Sequence, residues 1–278
     1  MVTPTLSLSL HKGPPPPPPP CLVLPRSSPP PPPPLPPLPR RAPSFCRVAR
    51  RPCSSLVDET VAQIQSSGVI ACLRSNSAEL AMEAARAALS GGISVLEIVV
   101  STPGVFEVLQ QLVHDYPTTV LGVGTVLSVE DAKKAVRTGA KFLMSPAMVK
   151  DVMDGFQHGE VLYIPGAMTP TEILYAHDAG AKMVKVYPVS ALGGVNYISA
   201  IKKAFSHISM VASQGITMDS IGDYIAKGAS SVVLSDAIFD KEAMAEKNFE
   251  AISELANFAA LQGKEAVAGL GFLLTVFS

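Results

Sequence analysis

The sequence predicts an α/β fold, a compact (β/α)8 TIM barrel with an extra N-terminal helix, on three observations. First, short apolar, β-branched runs recur eight times: Val69–Leu73, Ser94–Val100, Thr119–Val123, Phe142–Met144, Val161–Ile164, Met183–Tyr187, Ser209–Ala212 and Ser231–Leu234. From 69 to 231, seven steps give a period of about 23 residues, enough for one strand and one helix. Second, the runs are apolar throughout rather than alternating, the pattern of parallel strands buried on both faces. Third, the intervening stretches carry apolar residues at spacings of three and four, the helical period. An open doubly wound sheet is the competitor. Its marker fails, because Gly122-Val123-Gly124 follows a strand but Leu127 stands where GxGxxG needs its third glycine.

Taken in order, residues 1–54 form a leader that cannot build a core. Of the chain's 26 prolines, 20 lie in residues 1–53, and Pro14–Pro20 and Pro29–Pro34 are polyproline runs without backbone donors. Residues 1–57 hold seven Lys or Arg and no acid, which leaves 15 basic and 23 acidic residues for the rest. The net charge of −1 is therefore a sum of +7 and −8 from two unlike pieces. Arg40, Arg41, Arg47, Arg50 and Arg51 with interspersed serines resemble an organelle transit peptide. Chloroplast is preferred over mitochondrion, since polyproline interrupts any amphipathic helix, with cleavage near residues 50–56. The plain alternative is a disordered tail or PxxP ligand on a cytoplasmic protein. Leu22–Leu24 is too short an apolar region for a secretory signal.

The acidic body argues against nucleic-acid binding, which needs a basic footprint. No apolar run reaches the roughly 18–20 residues that cross a bilayer. Three of the four cysteines lie in the leader, and Cys72 alone belongs to the body, so a disulfide framework is excluded there.

Residues 55–263 are expected to form the barrel. Ser55–Ser67 reads as a helix closing its bottom. Helical patterns follow at Ala78–Leu89, Val105–Tyr116, Val129–Thr138, Pro170–Ala179, Asn196–Phe205 and Met218–Ala226. Ser77 and Ser128 stand at helix starts, and Gly91, Gly139, Gly180 and Gly228 just past helix ends. Residues 264–278 are set apart as an apolar tail of unknown role; its eleven residues Val267–Phe277 are too few to span a membrane.

Barrel strands should be uncharged in their middles, because an ionised group there loses its hydration. Two runs break this rule: Glu97 within Val95–Val100 and Lys185 within Met183–Tyr187. Both lie toward the C-terminal half of the strand, the end where barrel active sites are built. A lysine in apolar surroundings has its ammonium form disfavoured, and a neutral amine attacks ketones to form a Schiff base. A carboxyl in the same cavity suits proton transfer. Together they are the minimum equipment for imine-based carbon chemistry. A purely structural alternative is a buried Glu–Lys pair that fixes barrel register.

Strand ends supply further polar groups: Arg74, Thr125, Ser145-Pro146, Thr169, Ser213 and Ser235-Asp236. At the same end of successive strands they describe the rim of a pocket. His114, His158, His177 and His207 fall on helix or loop patterns at the opposite side. No HxxxH, HExxH or CxxC spacing occurs, so no metal or other cofactor is expected, and no GxSxG elbow supports a hydrolase.

At these residues the chain resembles the class I 2-keto-3-deoxy-6-phosphogluconate (KDPG)/4-hydroxy-2-oxoglutarate (KHG) aldolase family, in a plant-like organellar form. The matching blocks are VLEIVVSTP (95–103), GVGTVL (122–127), SPAM (145–148), IPGAMTPTE (164–172) and KVYPVSALGG (185–194). The resemblance spans residues 56 to about 262. It implies a (β/α)8 barrel that needs no metal, a homotrimer, and a small keto-acid substrate cleaved to pyruvate and an aldehyde. By the same resemblance, Lys185 would be the Schiff-base lysine and Glu97 the general acid/base. Thr125 and Arg74 would bind the pyruvyl carboxylate, Pro146 would shape that pocket, and Tyr187 would pack near the reacting carbons. Ser213, Gly215 and Ser235 would line the far end of the substrate.

Three departures from the family pattern stand out. Ser101 occupies the place of an arginine that many members carry four residues after the glutamate; Arg74 would supply that charge from the neighbouring strand. Gln214 and Leu234 stand where glycines are common, and each is expected to crowd a phosphate. Asp236 adds a negative charge there unless it turns away. Two other readings stay open: a sugar-phosphate isomerase or epimerase on the same barrel, and a degenerate barrel acting as a binding protein.

Overall fold

The computed structural model describes residues 56–156 and 161–276. The leader expected over 1–54, His158 and Phe277–Ser278 lie outside the described residues. In chain order the elements are α1 (Leu56–Ser67), β1 (Val69–Leu73), α2 (Ala78–Ser90), β2 (Val95–Val99), α3 (Val105–Asp115), β3 (Val120–Gly124), α4 (Val129–Arg137), β4 (Phe142–Met144), α5 (Lys150–Phe156), β5 (Leu162–Ile164) and β6 (Gly166–Ala167). There follow α6 (Pro170–Asp178), β7 (Met183–Val186), α7 (Val195–Ala204), β8 (Ser209–Ser213), α8 (Ile221–Ala226), β9 (Ser231–Leu234), α9 (Lys241–Ala245) and α10 (Phe249–Val276). Short 3-10 turns lie at Val189–Leu192 and Met218–Ser220. Every pairing is parallel, in the order β5-β4-β3-β2-β1-β9-β8-β7-β6. This is the (β/α)8 barrel.

The fifth barrel strand differs from the single run expected. β5 pairs with β4 and β6 pairs with β7, so the ring closes through the interruption at Pro165. Proline brings no N–H to the ladder, but its carbonyl accepts from the Lys185 N–H at 2.8 Å. The expected helix Met218–Ala226 is likewise two pieces, a 3-10 turn leading into α8.

Helix starts follow their caps. Ser77 Oγ accepts from the Leu80 N–H at 3.2 Å and Ser128 Oγ from Asp131 N–H at 3.1 Å. Thr169 makes a capping box with Glu172, whose carboxylate accepts from the N–H groups of Met168 and Thr169. Those two backbone donors hold the Glu172 carboxyl below its ordinary range. Each such cap contributes about 1 kcal/mol.

Two cores result from the pleat, since successive side chains on a strand face opposite ways. Ile70, Val95, Val120, Phe142, Met144, Leu162, Ile164, Met183, Val211 and Val233 form the barrel interior, and Ile64 of α1 joins them with Val57 and Val61 against it. Thus α1 does close the bottom. The intervening strand residues, among them Leu96, Ile98, Leu121, Val184 and Leu234, pack outward against the helices. Gly122 points inward under the Phe142 ring, where a β-carbon would stand 2.5 Å from ring atoms.

α10 lies against α2, α8 and α1. Gly263 lets it approach the bottom of the barrel, where a β-carbon would come 2.6 Å from the Ser67 carbonyl oxygen. Residues 264–276, set apart in the sequence as a tail, continue this helix without a break.

Candidate active site

Glu97 is the middle residue of β2, on the inward parity set by Val95 and Val99. Lys185 reaches the same interior from β7, above Met183. Among the described residues these are the buried charged side chains, at 1% and 6% exposure. Lys185 Nζ stands 3.9 Å from Glu97 Oε1. Neither carboxylate oxygen accepts a hydrogen bond from the described protein groups. The lysine amine also lies 5.5 Å from the centre of the Tyr187 ring.

Above this pair opens a cavity of about 490 Å³ at the C-terminal ends of the strands. All nine residues expected at the site line it: Arg74, Glu97, Thr125, Pro146, Lys185, Tyr187, Ser213, Gly215 and Ser235. The chain brings them from β1, β2, the turns after β3 and β4, β7 and its following turn, β8 and its turn, and the end of β9.

Local geometry shows how several are held. Thr125 sits at a φ of 57°, left-handed backbone that a β-branched residue enters only at a cost of about 1–3 kcal/mol. Arg74 Nη1 donates to Ser101 Oγ at 3.0 Å, so the guanidinium already reaches across to the serine one strand away. Pro146 is braced from behind: Ser145 Oγ and Tyr163 Oη are 2.7 Å apart, and Tyr163 Oη accepts the Val149 N–H at 3.1 Å. Burial pushes the Tyr163 phenol up, which keeps it protonated as a donor. Gly166 sits so close to the Pro146 carbonyl that no side chain would fit between them.

One expectation needs correction. Leu234 does not crowd the cavity: it is fully buried on the outward face of β9, among the core residues under the helices. Its neighbours Val233 and Ser235 take the inward parity and line the site instead. Asp236 lines the cavity as expected, with its side chain 72% exposed and 3.6 Å from Lys241 Nζ. Gln214 lines the cavity as expected. Thr169 serves as a helix cap.

Cys72, which sequence reasoning passed over as a site residue, also lines the cavity, with its α-carbon paired with that of Glu97 across β1 and β2. Burial pushes its thiol up, and the Glu97 charge adds to this against the opposing pull of Lys185 and Arg74. Its signal was available, since residues 70, 72 and 74 share one face of a strand whose end already carried Arg74. Among the described residues no group of three or more His, Cys, Asp or Glu side chains is placed to hold a metal ion. His114 and His177 end their helices at the far side of the barrel, and His177 packs edge-on against His207 at 5.2 Å.

The model of the KDPG and KHG aldolase family matches residues 60–255. The chain belongs to that family. It is 28% identical to the 2-dehydro-3-deoxy-phosphogluconate aldolase of Dickeya dadantii over 208 residues, 74% of this chain and 94% of the relative. It is 28% identical to the KHG/KDPG aldolase of Escherichia coli K12 over 191 residues, covering 69% and 86%. Its fold matches a structure of the KDPG aldolase of Legionella pneumophila with pyruvate captured at low pH as a covalent carbinolamine intermediate. That match has a TM-score of 0.67 at 28% identity and covers 71% of this chain and 96% of the other. As a KDPG/KHG aldolase family member, the chain is a class I aldolase, an aldehyde-lyase of carbohydrate metabolism that releases pyruvate and an aldehyde.

Proposed function

We propose that this aldolase cleaves 2-keto-3-deoxy-6-phosphogluconate or 4-hydroxy-2-oxoglutarate, giving pyruvate and glyceraldehyde 3-phosphate or glyoxylate, with Lys185 and Glu97 as its catalytic pair. The observation that carries this reading is the 3.9 Å approach of the two buried charged groups at the floor of the cavity. The Lys185 amine adds to the C2 ketone, and the carbinolamine loses water to give a protonated imine. Glu97, directly or through a water, takes the proton of the C4 hydroxyl. The C3–C4 bond breaks, its electron pair flows into the imine to leave an enamine, and the aldehyde departs. Protonation at C3 and hydrolysis then release pyruvate and restore the amine.

The remaining lining residues would orient the acid. Arg74 and the Thr125 hydroxyl offer donors for the C1 carboxylate, on the side of the cavity where β1 and β3 flank β2. Pro146 and Tyr187 wall the pyruvyl portion, while Ser213, Gly215 and Ser235 face the departing aldehyde. The test uses the full-length chain with pyruvate and sodium borohydride, read by intact mass and peptide mapping. One stable adduct on Lys185 is expected. Its absence would leave Glu97 and Lys185 as a structural pair and end this reading.

The same family membership suggests a homotrimer, in line with the exposed apolar side chains Met168, Leu174 and Tyr175 on and before α6. Light scattering would return three times the chain mass. The basic, proline-rich leader supports import into a chloroplast. A fluorescent fusion of the full chain, compared with one lacking residues 1–54, would test that address.

A further inference from the structure

Gln214 follows the last residue of β8 and lines the catalytic cavity. Its φ is 85°. Among the described residues, non-glycine positive φ values occur at Thr125, Gln214 and Lys247, and the first two line this same cavity. Glycine adopts such backbone freely and other L residues do so at a steric cost. Gly215, next in the chain, has a plain reason for its identity: a β-carbon there would stand 2.7 Å from Ser190 Oγ. Nothing comparable demands glutamine at 214, where glycine would be relaxed. A strained residue kept at a site wall points to a contact made by its side chain.

The side chain is held. Ser190, in the 3-10 turn after β7, donates its hydroxyl hydrogen to Gln214 Oε1. That bond occupies the amide oxygen and leaves the two N–H donors of Nε2 for another acceptor. Charge at the cavity wall matters as well. Arg74 and Lys185 are its lining cations, Glu97 and Asp236 its lining anions. With Lys185 given to the imine and Arg74 to the C1 carboxylate, the Gln214 side has neutral donors and no cation of its own.

We propose that Gln214 determines specificity: its amide donates to the distal carboxylate of a 4-hydroxy-2-oxo dicarboxylic acid and occupies room that a phosphate ester needs. This rests on the aldolase reading above and selects one of its two substrates. A singly charged carboxylate is satisfied by an amide N–H, whereas a phosphate dianion calls for more donors or a cation.

The test measures kcat/KM of the full-length chain for 4-hydroxy-2-oxoglutarate and for 2-keto-3-deoxy-6-phosphogluconate. The parent is expected to favour the dicarboxylate. Gln214→Gly should lower the dicarboxylate value about tenfold or more, the loss expected for one hydrogen bond to a charged group. It should leave the phosphorylated substrate unchanged or improved. Its thermal midpoint should not fall, because glycine relieves the left-handed backbone, so folding does not confound the result. Gln214→Glu keeps the shape but removes the donors and adds a like charge, and should raise KM for the dicarboxylate further than Gln214→Gly does. An unchanged substrate ratio in both variants overturns the proposal. So does a ratio that moves with Lys241→Ala instead, which would place the distal group in the adjoining cavity that shares Arg74, Ser235 and Asp236. Failure of the parent to form the pyruvate–borohydride adduct overturns the aldolase reading and this one together; an adduct with an unmoved ratio sinks the role of Gln214 alone.

Discussion

Gly124 lies so close under the Glu97 side chain that a β-carbon on residue 124 would overlap the carboxylate. The two residues sit on neighbouring strands, with Glu97 opposite Gly122 and Val99 opposite Gly124 in the β2–β3 register. The second glycine of GVGTVL therefore makes room for the carboxyl, as the first makes room for Phe142.

Gly124→Ala is expected to push Glu97 from its place while sparing Lys185. Overpacking of this kind costs about 1–3 kcal/mol, and loss of a positioned proton carrier lowers turnover by about a hundredfold or more. Steady-state kinetics beside urea unfolding would check both. Parent-like turnover would show that Glu97 is not needed where it lies.

The Lys185–Glu97 pair serves chemistry at the expense of stability. Lys185→Ala should abolish turnover and, by leaving an unpaired carboxylate at 1% exposure, destabilise the fold. Replacing both, Lys185→Met with Glu97→Gln, should return stability to the parent value or above it, since apolar or neutral substitutes avoid the desolvation of two ions. Chemical denaturation of the parent, both single variants and the double variant gives the comparison. Additive losses would contradict the pairing.

Arg74 and Ser101 form the third relationship to test. Arg74→Ala should weaken pyruvate binding about tenfold, the scale of one charge-assisted bond. Adding Ser101→Arg should restore part of it, because the Arg74 guanidinium reaches Ser101 at 3.0 Å and a side chain from that position reaches back. Titration of pyruvate-dependent borohydride inactivation measures this. No rescue would show that the charge must come from β1.

Cys72 predicts a pH effect. Its thiol is raised in the folded protein by burial and by Glu97, whereas an unfolded thiol titrates near about 8.5. Between those values the unfolded chain has released the proton and the folded chain has kept it. Its contribution is thus complete below about pH 8.5 and declines as pH rises, by at most about 1.4 kcal/mol per pH unit. Cys72→Ala should flatten the fall in urea midpoint between about pH 8 and 10. Equal slopes in parent and variant would refute it.

Glu97 and Lys185 were legible because a charge inside an otherwise apolar run is conspicuous at any level of description. Arg74, Thr125, Pro146, Ser213 and Ser235 followed from lying at one end of successive strands, whereas Tyr187 and Gly215 came only with the family resemblance. Leu234 was misplaced for the opposite reason. Val232–Leu234 is apolar on both faces, so nothing within it marks which residues point inward, and an error of one residue turns a site wall into outer core. Pro165 divides a strand whose two halves are recognisable only by their different partners. The run of α10 through residues 264–276 was hidden because its residues are apolar without a clear face, a pattern that reads equally as a tail.

By itself, the sequence determined the alternation of strands and helices, the helix starts at Ser77 and Ser128, and the pair of charged groups that burial would have to accommodate. These depend on period and local hydrogen bonding, which a chain carries within a few residues. Closure of the barrel through Pro165, the inward parity of each strand, the reach of Arg74 to Ser101 and the strained backbone of Gln214 were decided only in three dimensions. Each depends on contacts between residues far apart in the chain, whose spacing is set by the twist and register of the whole sheet rather than by any one segment.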